Sequence, residues 1–256
     1  MSEPGDLVEY LLRIGDDALI ASQRLAEWCA HAPELEEDIA LANIALDQLG
    51  VARAALTHAG AVEGRGRDED ALAYLRDARE FRNCLLVELP NGADGTHDFA
   101  VTIAKLLVLS AYQKSLYDAL ATSTDATVAG IAAKARLESA YHLDHSAQWT
   151  IRLGDGTEES HRRMRDALDA VWPYTHELFD DDEVSGRLAA AGVGVAPRVR
   201  PMWTKLVEEV LAEAMLTVPA QDWGPTGGRA GRHTEHLAAL LGEAQSVHRA
   251  HPGARW

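Results

Sequence analysis

A chain of 256 residues, nearly half of them apolar, can bury a substantial core in one large domain or two small ones. Its 40 acidic residues against 24 basic leave a formal charge of −16, which opposes phosphate backbones and anionic lipid and argues against nucleic acid or membrane as partners. No apolar run of about 18 residues stands out as a bilayer span, the acidic start MSEPGDLVEY lacks the order of a secretory signal, and two cysteines, Cys29 and Cys84, make no disulfide scaffold; the expectation is a cytoplasmic protein with reduced cysteines.

Alanine and leucine dominate, and runs of β-branched residues bounded by paired turns are missing, so an all-α fold is expected. Leu7, Leu11, Ile14, Ala18, Ala21, Leu25 and Trp28 step by three and four, the stripe of a long first helix ending near HAPE. Pro33 suits the first turn of a second helix, whose stripe runs Leu35, Ile39, Ala42, Leu46, Leu49, Arg53 and Leu56 and which stops near Gly60. The short turn makes the pair antiparallel.

The segment from Val62 to Asp98 predicts a crossover holding one short helix, with Arg76, Arg79 and Arg82 at three-residue steps, and a turn at PNGADG. A third long helix starts near Asp98, carries Phe99, Ile103, Leu106, Ser110, Gln113, Tyr117 and Leu120 inward, and breaks at TSTDAT. The fourth has Ile131, Ala135, Glu138, His142, His145 and Trp149 on its stripe and ends at LGDGT; a fifth runs through Met164, Leu168, Val171, Thr175 and Leu178. A helix near Met202–Val218 and a last one to about His248 complete the chain. Two long antiparallel hairpins joined by a crossover predict a ferritin-like bundle, a single domain over 1–256 with 196–256 as a helical extension packed on it.

In di-iron proteins of that architecture two helices each give a Glu and two give Glu-x-x-His, all pointing inward. Asp16, Asp17 and Asp47 supply acids in the first hairpin, but the residue three after Asp47 is Gly50. In the second hairpin His142 is preceded at three residues by Ser139, with Glu138 one position off, and no Asp or Glu lies between Phe99 and Tyr117. The residues facing His142 are expected around Leu107, Ser110, Ala111 and Gln113. With half the anionic ligands missing, two iron ions lack the bridging charge they need, so no metal is expected. Asp17, Asp47, Glu138, His142 and His145 are then vestigial positions, with Glu138 expected to pair with His142 and Arg53 or Lys105 to neutralise a buried aspartate. A single ion on Glu138, His142 and His145 is the competing reading.

His233 to His236, HTEH, is expected as a loop-to-helix cap, because it is not the HExxH of zinc hydrolases, and the glycine-rich GPTGGRAGRH lacks the ending of a phosphate loop. Arg76, Arg79 and Arg82 are expected to pair with Asp77, Glu80 and Glu88, or else to face a phosphate-bearing ligand or a partner subunit. The six tryptophans suit either core or interface.

The runs LRIGDDALIASQRLAEWCAHAPELEEDIALANIALDQLGVAR, RDAREFRNCLLVELPNG, YHLDHSAQW, ELFDDDE and TGGRAGRHTEHL closely resemble the C-subunit family of bacterial ring-1,2-phenylacetyl-CoA epoxidases, over nearly the whole chain from Leu11. The resemblance implies a ferritin-like fold without a working di-iron centre and no catalytic residue of its own. It implies pairing with a catalytic A subunit that carries the di-iron cofactor, together with a small B subunit, a reductase component and phenylacetyl-CoA, in aerobic phenylacetate degradation. It also places Glu80, Phe81, Arg82 and Asn83, and Gly186, Arg187 and Leu188, near the coenzyme A substrate, where guanidinium groups can fork phosphates. The rival expectations are a metal-dependent oxygenase or oxidase using a reduced ligand set on helix four, and a helical acyl-CoA-binding protein.

Overall fold

The computed structural model describes residues 4–93, 96–195 and 199–254, which contain helices and turns and no strand. Four long helices form the bundle: α1 (Pro4–Ala26), α2 (Leu35–Glu63), α5 (Phe99–Leu120) and α6 (Ala126–Gly154). Between the hairpins lie α3 (Glu69–Tyr74) and α4 (Leu85–Glu88). After them come α7 (Glu158–Val171), α8 (Glu183–Ala190), α9 (Val199–Glu213), α10 (Glu235–Ala244) and α11 (Ser246–Ala250). The turn expected at PNGADG falls partly on residues 94 and 95, outside the described residues.

α1 packs along α2, α5 along α6, and α2 against α6. Asp98 and Asp125 cap the second hairpin's helices, their side chains accepting the N–H of Ala100 and those of Thr127 and Val128. α2 starts at Leu35, with Glu34 as its N-cap, so Pro33 lies just outside the helix. α2 also passes through Gly60 and ends at Gly64, whose φ of 68° takes the left-handed cap position. Gly60 has another cause: a Cβ there would run into the Arg67 carbonyl oxygen.

The stripe expected to bury α2 faces outward. Leu35, Ile39, Ala42, Leu46, Leu49 and Arg53 are exposed; of the expected stripe Leu56 is buried, and the helix otherwise buries Leu41, Ile44, Gln48, Val51, Ala52, Ala55 and Ala59. Both faces are apolar, so periodicity alone had no basis for choosing between them. Contrary to expectation, α2 is by length and composition apolar enough to cross a membrane. α5 is the opposite case, buried nearly all round because α7 and α9 cover the side that the bundle leaves open. Trp203 of α9 seals that contact, its indole N–H donating to the Val108 carbonyl at 2.9 Å.

Arg76, Arg79 and Arg82 do not share a helix: α3 ends at Tyr74, a 3-10 turn spans Ala78–Glu80, and Arg82 follows outside any helix. The fifth helix tightens to 3-10 over Trp172–Phe179, where Pro173 has no N–H to give. The helix placed at Met202–Val218 runs Val199–Glu213 and stops before Met215, whose φ is 57°. The last helix is broken at Gln245, whose amide donates to the carbonyls of Ala73 and Arg76, both at 3.0 Å. Trp28, Trp172 and Trp203 are core, whereas Trp223 is exposed and Trp256 lies outside the described residues.

Candidate functional site

At the mid-level of the bundle, where inward carboxylates would bridge two irons, the side chains are neutral. Gln48 of α2 and Gln113 of α5 exchange two hydrogen bonds, Gln48 Nε2 to Gln113 Oε1 at 2.7 Å and the reverse at 2.9 Å. Beside them the hydroxyls of Ser110 and Ser146 meet at 3.3 Å, each also bonded to its own helix's preceding turn. The paired amides satisfy each other in the dry interior and leave no carboxylate oxygen for a cation. The donor set does not fit a di-iron centre.

The five vestigial positions separate into different pairs. Asp47 Oδ2 lies 3.1 Å from His142 Nε2, His145 Nε2 lies 3.2 Å from Glu37 Oε2, and Glu138 pairs with Lys134 at 3.0 Å. His142 therefore pairs with Asp47, and the expected Glu138–His142 couple is corrected: Glu138 sits a helical turn from both Lys134 and His142, and its ion pair is with the lysine. Asp17 lies on the other side of α1, held by Arg229. Arg53 and Lys105 serve neither aspartate: Arg53 bonds Glu69, while Lys105 Nζ donates to Leu89 O, Pro90 O and Asn91 Oδ1 at 2.7–3.2 Å. Among the described residues no group of three or more His, Cys, Asp and Glu has the arrangement of a metal site.

Burial lowers the pKa of His142, an effect the Asp47 bond only partly offsets, and burial likewise lowers His145 against the pull of Glu37. The geometry gives the reason for His142: its Nδ1 is buried without a hydrogen-bond partner among the described residues, so a proton there would be an orphan donor. Both rings gain protons more readily when unfolded. Below the unfolded value of about 6.5 the unfolded chain binds more protons, and stability falls as pH drops from there toward the folded values. Urea unfolding at pH 7.5 and 5.5 is expected to give a lower midpoint at 5.5, with the loss reduced in His142→Gln; an equal loss in that variant would remove His142 from the account.

The second polar concentration is a charge ladder on α1. Asp6 accepts both arms of Arg187 at 2.7 Å; Glu9 accepts from Arg13 at 3.3 Å and Arg82 at 3.1 Å; Arg13 donates to Asp182 at 2.6 Å. Asp16 is forked by Arg76 and also accepts the Arg82 backbone N–H at 2.8 Å. Asp17 accepts the Cys84 N–H at 2.7 Å and both arms of Arg229 at 2.9 and 2.7 Å. Spacings of three and four put these groups on one side of the helix, where they tie down the segments 76–84, 182–187 and 229.

The carboxylates of Asp77, Glu80 and Glu88 are therefore not the partners of Arg76 and Arg82, though Arg76 donates to the Glu80 main-chain carbonyl at 3.0 Å. Asp77 pairs with Arg249, Glu80 accepts the Asp77 N–H in a capping box, and Glu88 lies 3.2 Å from His233 Nδ1 and accepts the Thr234 N–H at 2.9 Å. Thr234 stands at the N-cap position of α10, so HTEH does sit at a loop-to-helix junction, but the Thr234 side chain makes no capping hydrogen bond.

The residues placed near coenzyme A by resemblance lie on two segments that converge on Asp6, Glu9 and Arg13 of α1. Phe81 and Leu188 are core residues, with the Arg76 guanidinium 4.2 Å over the Phe81 ring. Asn83 is fully buried and donates to the Cys84 carbonyl, and Gly186 is exposed. Arg82 and Arg187 are both engaged by carboxylates of their own chain. A cavity of about 270 Å³ nearby is lined by Tyr10, Asp17, Tyr112, Glu177, Asp180 and Arg229, among others. Burial, reinforced by Glu177, raises the Asp180 carboxyl, and burial pushes the Tyr10 phenol up to about 12. The cavity is small for a cofactor-sized ligand, and its acids oppose phosphates.

Sequence reasoning missed Glu177. It is almost fully buried on the 3-10 segment, and its Oε1 accepts the N–H groups of Gly227 at 2.8 Å, Gly228 at 2.7 Å and Arg229 at 3.4 Å, while Oε2 accepts that of Leu85 at 2.7 Å. The glycine-rich loop is thus an anion nest occupied by the protein's own carboxylate. The paired glycines before Arg229 were the available signal. A Cβ on Gly228 would meet the Asn83 carbonyl, so the loop depends on that glycine. The Cys84 thiol beside this network is pushed well up, first by burial and then by Asp17, so it offers no nucleophile.

The ferritin-like helical frame matches what comparison with known proteins finds. The family model described as "Phenylacetic acid catabolic protein" matches residues 2–256. The chain belongs to this family. It is also similar to the C subunit of the 1,2-phenylacetyl-CoA epoxidase of Escherichia coli (strain K12), with 47% identity over 251 residues, 98% of this chain and 99% of the relative. In this chain the glutamine pair, the α1 ladder and the occupied nest are polar clusters whose groups pair with one another.

Proposed function

We propose that this chain is the C-type subunit of a 1,2-phenylacetyl-CoA epoxidase, a cytoplasmic, non-catalytic and iron-free bundle that stabilises a di-iron A subunit. The Gln48–Gln113 pair carries this reading, because it fills the level where two metal ions would need four or more carboxylate oxygens. Near-complete coverage of the E. coli relative supports it. A small B subunit and a reductase complete the assembly, and electron transfer and oxygen chemistry belong to those other components. This chain contributes a packing surface to the assembly.

The reading as an oxygenase in its own right needs Glu138, His142 and His145 on one ion, and these residues turn to Lys134, Asp47 and Glu37. Metal analysis separates the two. The chain purified alone is expected to hold substoichiometric iron, unchanged in His142→Ala, and to co-purify with a co-expressed A subunit. Stoichiometric iron that is lost in His142→Ala would overturn the proposal.

A further inference from the structure

The cavity of about 270 Å³ beside the glycine-rich loop keeps polar groups that the fold does not use. Of its charged lining, Arg13 is engaged by Glu9 and Asp182, Arg229 by Asp17, and Glu177 by the N–H groups of the nest. Asp180, Arg232 and Tyr112 line it too, and among the described residues none of their side chains makes a hydrogen bond or an ion pair. Tyr112 is only 9% exposed, so its unbonded hydroxyl is a buried group that a ligand in the cavity would satisfy.

Asp180 and Arg232 carry opposite charges on one cavity and do not pair, because the chain on each side is tied elsewhere. Asp182 holds Arg13 at 2.6 Å and accepts the Ser185 N–H at 2.9 Å, which fixes the chain beside Asp180. Gly227 and Gly228 donate to Glu177 at 2.8 and 2.7 Å, which fixes the loop that carries Arg232. Burial first, and then Glu177, raises the Asp180 carboxyl, so an ammonium group beside it would be stabilising. Ile14, Leu116 and Leu178 supply an apolar wall, and the volume, below the roughly 300–1,000 Å³ of sites for drug-sized molecules, suits a compact ligand. We propose that this cavity binds a small apolar amino acid, its ammonium between Asp180 and the Tyr112 hydroxyl and its carboxylate forked by Arg232. A simple cation leaves Arg232 without a partner, and a simple anion faces Asp180 and Asp181; a molecule with both charges uses every free group.

The test titrates the full chain calorimetrically with L-leucine, with 3-methylbutylamine, which lacks the carboxylate, and with 4-methylpentanoate, which lacks the ammonium. Leucine should bind at least about 10-fold more tightly than either, because each analogue leaves one charge-assisted contact unmade. Asp180→Asn should weaken leucine by about 10-fold and leave 4-methylpentanoate no weaker, whereas Arg232→Gln should weaken leucine as much and leave the amine no weaker. Asp180 and Arg232 are exposed, so both variants are expected to keep wild-type circular dichroism and melting. A leucine dissociation constant above about 10 mM overturns the proposal, as does binding that ignores both substitutions. The amine binding as tightly as leucine makes the cavity a cation site and overturns it too. Iron content and co-purification, which test the subunit reading, play no part in these titrations, so either reading can fail alone.

Discussion

Glu177→Ala is expected to cost about 4–6 kcal/mol of folding stability, because it strips the acceptor from several buried N–H groups at roughly 1–3 kcal/mol each. Those groups belong to Leu85 in the crossover and to Gly227, Gly228 and Arg229 in the C-terminal loop, so one carboxylate joins two segments far apart in sequence. A loss of that size is comparable with the whole stability of many domains, about 5–15 kcal/mol. Glu177→Gln keeps one carbonyl oxygen but turns an NH₂ toward a donor, and should fall between wild type and alanine. Urea unfolding measures the total, and hydrogen exchange at Leu85 and 227–229 localises it. A cost under about 1 kcal/mol would mean that water replaces the carboxylate in the nest.

Arg229→Met should be nearly as damaging, at about 3–5 kcal/mol, since it leaves Asp17 buried without its guanidinium. Arg229 also donates to the Arg82 carbonyl at 2.8 Å, so its removal loosens the segment that Asp16 and Asp17 hold by backbone N–H groups. Asp17→Asn alone should cost a similar amount by stranding the arginine. The double variant Asp17→Asn/Arg229→Met is expected to lose less than the sum, with a coupling of about 2–3 kcal/mol, because it strands no charge. Additive losses would show that each residue acts through other contacts.

These two sites explain where the chain's charge goes. Asp16 and Asp17 looked like remnants of a metal site because acids at helical spacing on α1 suit ligands and structural ion pairs equally. Their partners, Arg76 and Arg229, lie 60 and 212 residues away. No local pattern connects them; only the folded path of the crossover and the C-terminal loop brings the guanidinium groups to α1. The same holds for Asp47 and His142, which belong to different hairpins, while Glu138 and His142, a turn apart on one helix, do not form the ion pair their spacing suggested.

The amino-acid sequence by itself determined the helical class, the four long helices, the aspartate caps of the second hairpin, and the absence of Asp and Glu between Phe99 and Tyr117. Each of these depends on short-range periodicity or on residue type at a counted position. Tertiary structure alone decided which of two apolar faces α2 buries, because Leu41 and Leu46 are equally suited to a core and only the neighbouring helices choose between them. It also decided that the glycine-rich loop holds Glu177 rather than a ligand. A nest binds whichever anion is supplied, and the supplier here is about 50 residues earlier in the chain.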